Sequence, residues 1–167
     1  DDGSVSCWGR NNKGQLGNGG NLNLNSPTSV DLGFNKTAVS ISAGSDFTCV
    51  LLNTGDVSCW GDNSFGIFAD GTTSNSNIPV IVNHSIGERV VSISTPGSSV
   101  CAISSTGGIS CWGDSYTISS PNGVLTNGSI SLSLPTGRSA VSLDGTNSHT
   151  CAILDNGSIS CWGLNTY

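Results

Sequence analysis

Seven cysteines give this 167-residue chain its richest chemistry: disulfide formation, metal ligation or thiolate attack. Spacing separates the three. Cys49 and Cys59, Cys101 and Cys111, and Cys151 and Cys161 are each ten residues apart, symmetric about turns centred on Thr54, Thr106 and Asn156. On an antiparallel hairpin such residues lie opposite each other on one face, within the separation a disulfide spans. Three within-hairpin disulfides are therefore expected. A metal would need clustered ligands such as C-x-x-C, and neither His84 nor His149 adds to a set, so no metal is expected. By the same spacing the partner of Cys7 falls before the first residue, and Cys7 is expected to be unpaired or to bond to an external thiol.

Catalysis needs a base, an acid or a nucleophile held beside its activator. His149 stands where the other copies of its segment carry Phe47 and Ser99, and reads as a variable turn residue before a strand. His84 reads as a solvated surface residue. Asp62 and Asp114 follow Trp-Gly at matching places, where paired carboxylates would serve glycoside hydrolysis or calcium. The other two copies put Arg10 and Leu164 there, so both aspartates read as turn residues. No catalytic residue and no cofactor are assigned, and the chain reads as a non-enzyme.

The elements that position these residues come from a repeat. The tetrapeptide SCWG recurs with its tryptophans at Trp8, Trp60, Trp112 and Trp162. Hairpin segments precede the last three: TCVLLNTGDVSCWG, VCAISSTGGISCWG and TCAILDNGSISCWG. Upstream of each lies a short β-branched run, AVSIS, VVSIS or AVSLD; downstream lie PTSV, PVIV and SISLSLP. The fold class is all-β: blades of four short antiparallel strands, about 50 residues each, over three repeat periods. The expected division is a partial blade over 1–37, blades over 38–89 and 90–139, and a partial blade over 140–167.

The segment CWGRNNKGQLG resembles the W-G-x-N-x-x-G-Q-L-G signature of the regulator-of-chromosome-condensation repeats, a family that includes secreted proteins of the β-lactamase inhibitor protein II type. The second copy, WGDNSFG, keeps Asn63 and Gly66 but ends in Ile67, Phe68 and Ala69; the third departs after Gly113. The resemblance implies a seven-bladed propeller that acts through exposed loops and faces. Three periods make less than half of such a ring. With no methionine and Asp1 first, the sequence reads as a processed product or a segment of a larger propeller. Its partners are then the remainder of the same propeller or other protein subunits.

Disulfides in every blade call for an oxidising compartment, so an extracellular or cell-surface protein is expected. Four N-x-S/T sequons agree, at Asn35, Asn83, Asn127 and Asn156, the last at a hairpin tip. A net charge of −6, with Arg10, Lys13, Lys36, Arg89 and Arg138 scattered singly, excludes a phosphate-backbone stripe and with it nucleic acid. No apolar run reaches the roughly 20 residues that span a bilayer.

Trp8, Trp60, Trp112 and Trp162, fixed at one point in each repeat, are expected to pack blade against blade, in preference to forming a sugar-stacking platform. A ligand face would lie on the loops Gly17–Ser26, Phe68–Asn77 and Ser115–Thr126, which offer Phe68 and Tyr116. The function expected is a structural or adhesive propeller module, a building block of a coat or filament. A protein-binding inhibitor of the β-lactamase inhibitor protein II type, and a glycan-binding module, are the alternatives.

Overall fold

A computed structural model describes residues 2–84, 87–114 and 130–163. Every regular element in these residues is a β-strand, and none is a helix that could cross a membrane. The strands form four antiparallel sheets in chain order. The first pairs β1 (Val5–Gly9) with β2 (Leu24–Val30). The second holds β3 (Ala38–Ala43), β4 (Phe47–Leu52), β5 (Val57–Gly61) and β6 (Ser76–Ile81), side by side in that order. The third repeats it with β7 (Val90–Ser94), β8 (Ser99–Ser104), β9 (Ile109–Gly113) and β10 (Ile130–Leu132). The fourth contains β11 (Ala140–Gly145), β12 (His149–Leu154) and β13 (Ile159–Gly163).

The second sheet shows how sequence makes a blade. Between β4 and β5 the chain turns through Asn53, Thr54 and Gly55, where the Leu52 N–H meets the Asp56 carbonyl and the Gly55 N–H meets the Leu52 carbonyl, both at 2.9 Å. That turn sets the register, Cys49 opposite Cys59 and Thr48 opposite Trp60. Because side chains alternate along a strand, Val50, Leu52 and Trp60 fall on the face toward the first sheet, with Val5 and Val30. Phe47, Cys49, Leu51, Val57 and Cys59 fall on the other face, against Val90, Ile93, Val100 and Trp112 of the third sheet. One strand pair thus supplies both neighbouring cores.

The inner strands share a further device. Register shifts between Ala38 and Ser40, Val90 and Ser92, and Ala140 and Ser142 each leave one residue bulged out. The bulged residues are Val39, Val91 and Val141, and all three are exposed. Sheets are also tied at the hairpin tips: the Ala38, Val90 and Ala140 N–H groups donate to the Gly3, Gly55 and Gly107 carbonyls of the preceding sheet.

Candidate functional site

Two of the tryptophans singled out in the sequence, Trp60 and Trp112, are held at contacts between sheets. Trp60 is completely buried, and its indole Nε1 donates to the Gln15 carbonyl at 2.9 Å. The Thr48 hydroxyl donates to the same oxygen at 2.9 Å. Gln15 belongs to the loop that follows β1, so a tryptophan of one sheet is held by a loop of the sheet before it. Trp112 repeats the arrangement, with its Nε1 2.8 Å from the Ile67 carbonyl.

Each loop is folded around one buried asparagine. Asn11 Oδ1 accepts from the Leu16 N–H at 2.9 Å, and its Nδ2 donates to the Gly20 carbonyl at 3.0 Å. Asn63 accepts from the Phe68 N–H at 2.9 Å and donates to the Thr72 carbonyl at 3.1 Å. The backbone N–H groups of Asn11 and Asn63 in turn donate to Asn23 Oδ1 and Asn75 Oδ1. Asn23 and Asn75 escaped the sequence reading, although the 52-residue spacing between them equals that between Trp8 and Trp60.

The partner of each indole is a backbone carbonyl, which explains why Ile67-Phe68-Ala69 can replace Gln15-Leu16-Gly17. Leu16 and Phe68 are both buried, and Ala69 adopts φ 49° where Gly17 has φ 68°. The glycine after each buried tryptophan is less replaceable. At Gly61 φ is +106°, and a methyl group there would sit 2.6 Å from the Asp46 carbonyl oxygen.

Replacing Asn63 with alanine should unfold the loop before the sheets. The buried Phe68 N–H loses its acceptor, at a cost of about 1–3 kcal/mol, and amide exchange of Phe68–Thr72 should accelerate more than that of β8 and β9. Uniform acceleration across the chain would contradict this.

Other expectations resolve differently. Trp8 is 62% exposed, with no caging loop over it among the described residues. Trp162 packs with Ile103, Ile109, Leu143 and Leu154, with its Nε1 buried and without a partner among the described residues. Phe68, offered as a surface aromatic, lies in the core between the second and third sheets. His84 is half-buried, its ring centroid 5.9 Å from that of Trp112, and burial pushes its pKa down. His149 opens β12, with its Nδ1 3.2 Å from the Thr146 hydroxyl. Tyr116, Asn127, Leu164 and the loop Ser115–Thr126 lie outside the described residues.

Two ion pairs lie at the same end of the sheets as the caging loops. Arg10 Nη1 is 3.4 Å from Asp46 Oδ1, which also accepts from Gln15 Nε2 at 3.0 Å. Lys13 Nζ is 3.4 Å from Asp62 Oδ1, so Asp62 makes a contact between sheets besides its turn. Such exposed pairs fix orientation more than they stabilise.

The structure pairs Cys49–Cys59, Cys101–Cys111 and Cys151–Cys161, with S–S distances of 2.07, 2.12 and 2.09 Å. Cys7 is a free thiol whose pKa is raised by burial. Among the described residues no three His, Cys, Asp or Glu side chains form a metal-binding group. Asn35, Asn83 and Asn156 are all exposed.

A model for the regulator of chromosome condensation (RCC1) repeat matches residues 2–51, and a second model of that repeat matches 38–67 and 140–167. The chain belongs to the RCC1 repeat family. Human E3 ubiquitin-protein ligase HERC2 is 26% identical over 75% of this chain and 3% of its own length. The ultraviolet-B receptor UVR8 of Arabidopsis thaliana is 31% identical over 66% of this chain and 26% of its own. The crystal structure of Prp20p from Saccharomyces cerevisiae, 20% identical, superposes with a TM-score of 0.81 over 98% of this chain and 42% of that one. The four sheets are thus blades of an RCC1-type β-propeller, and the chain spans less than half the length of each of these relatives.

Proposed function

We propose that this chain is part of an extracellular, non-enzymatic propeller whose work is to bind protein, as a structural or adhesive module of a coat or filament. One observation carries the reading. Ile153 and Ile159 face each other across β12 and β13, in the register where β8 and β9 hold Ile103 and Ile109. The inner pair is buried to 1% and 2% exposure beneath the next blade, whereas Ile153 and Ile159 are exposed to 46% and 67%. A face built to the same pattern fits the same partner, another blade, supplied by the remainder of the propeller or by a neighbouring subunit.

Support for the compartment comes from the three disulfides, which persist where thiols are kept oxidised. The sequon at Asn156 lies on an exposed hairpin tip, where Ser158 donates to its Oδ1 from both backbone and hydroxyl, at 3.0 and 2.7 Å. Asn35 and Asn83 stand exposed as well. Prp20p is described with binding properties toward Gsp1p and histones, which supports protein as the kind of partner this surface takes.

Mass measurements on protein purified from its source test the reading. Native spectra should show the chain within a larger ring or assembly, and a glycosidase should reduce the mass of peptides containing Asn35, Asn83 or Asn156. A monomer with six free thiols and no attached glycan would overturn it.

A further inference from the structure

The outer strands place three residues at one structural position. Thr28 pairs with Cys7, Val80 with Cys59 and Ile130 with Cys111. Counting four residues onward from each gives Leu32, His84 and Leu134. Leu32 packs in the core that holds Trp60, and Leu134 in the core that holds Trp162. His84 takes the same position against Trp112, with its rings inclined at 32°. A titratable imidazole therefore stands where the neighbouring blades use an aliphatic wedge between an outer strand and the next blade's tryptophan.

Its surroundings suit the neutral ring. His84 Nδ1 is buried and has no hydrogen-bond partner among the described residues. A protonated ring must place an N–H there, and a buried donor without an acceptor is costly. Two groups favour the cation, Asp56 and the backbone of His84 itself, but burial outweighs both. Asp56, on the turn between β4 and β5, favours the cation, but it is exposed and engaged by Thr54. Glu88 accepts from the Thr106 hydroxyl and Arg89 donates to the Asn53 carbonyl. From β9, the Trp112 ring lies 5.9 Å away, inclined at 32°, and brings no charged or hydrogen-bonding acceptor to Nδ1.

We propose that His84 makes the junction between the second and third blades acid-sensitive, its protonation loosening the wedge over Trp112. The sign follows from linkage. Burial lowers the folded-state pKa beneath the ordinary histidine value of about 6.5, so below that pH the unfolded chain binds more protons than the folded one. Stability is then full above about pH 6.5 and falls as pH drops through that value toward the depressed one. The Leu32 and Leu134 junctions carry no such term, so the weakening is confined to one junction of the three.

The test compares wild type with His84→Leu, the residue used by both flanking blades, and with His149→Asn as the control for the second histidine. Unfolding midpoints are measured between pH 7.5 and 5.5, above the range where most carboxylates titrate. The wild type and His149→Asn should lose several degrees on acidification, and His84→Leu should lose clearly less. On the folded wild-type chain, the His84 ring should titrate below about 6.5 in NMR spectra. Equal acid shifts in all three proteins, or a ring that titrates at or above that value, would overturn the proposal.

Discussion

Trp112→Ala should cost about 3–5 kcal/mol, the range for deleting a large aromatic side chain from a packed core. The indole is 1% exposed and lies in one cluster with Val57, Ile67 and Phe68. Truncation empties that space and strands the Ile67 carbonyl, which accepts from Nε1 at 2.8 Å. Trp112→Phe should recover most of the loss, because it restores apolar area and omits only the hydrogen bond. In the isolated 167-residue chain, where Trp8 is 62% exposed, Trp8→Ala should change stability by less than about 0.5 kcal/mol. Urea unfolding of the three variants measures the differences. Similar costs at Trp8 and Trp112 would mean that packing between blades does not hold the repeat together.

Replacing Cys49 and Cys59 together with alanine should cost roughly 3 kcal/mol, the chain-entropy value for a loop of this length. Both cysteines are completely buried, and so are Cys101 and Cys111 to within 1%. Cys161 is exposed and Cys151 half-buried. Reductant should therefore attack the three bridges in order of access, not of sequence. Alkylation of the isolated, folded 167-residue chain under mild reduction should label Cys151 and Cys161 first. The inner four should remain protected until the blades separate. Cys7 needs no reduction, but burial raises its pKa and keeps it largely in the less reactive thiol form. Simultaneous labelling of all six bridged cysteines would contradict this order.

Much of this architecture was legible because a repeat reports on itself. A β-hairpin is a local object: with the turn at Thr54-Gly55 given, alternation decides which residues share a face. The division of each β4-type strand between two cores follows from the same alternation. The exchange of Gln15-Leu16-Gly17 for Ile67-Phe68-Ala69 looked like decay of the signature, yet both loops use a carbonyl and one left-handed residue in the same roles. Backbone groups leave little trace in residue identity, so the loss of letters overstated the loss of structure.

The sequence by itself determined the all-β class, the repeat family and the four-strand blade, because these depend on period, turn chemistry and alternation, all of them short-range. Only the tertiary structure decided which blade each residue faces. It buried Trp60 beneath a loop of the preceding blade, a partner that the tetrapeptide itself does not reveal. It moved Phe68 from a surface loop into the core, joined Lys13 to Asp62 across two blades, and set His84 against Trp112. Each of these depends on contacts between segments about fifty residues apart. Burial there is a property of the neighbour, which a residue's own local sequence does not encode.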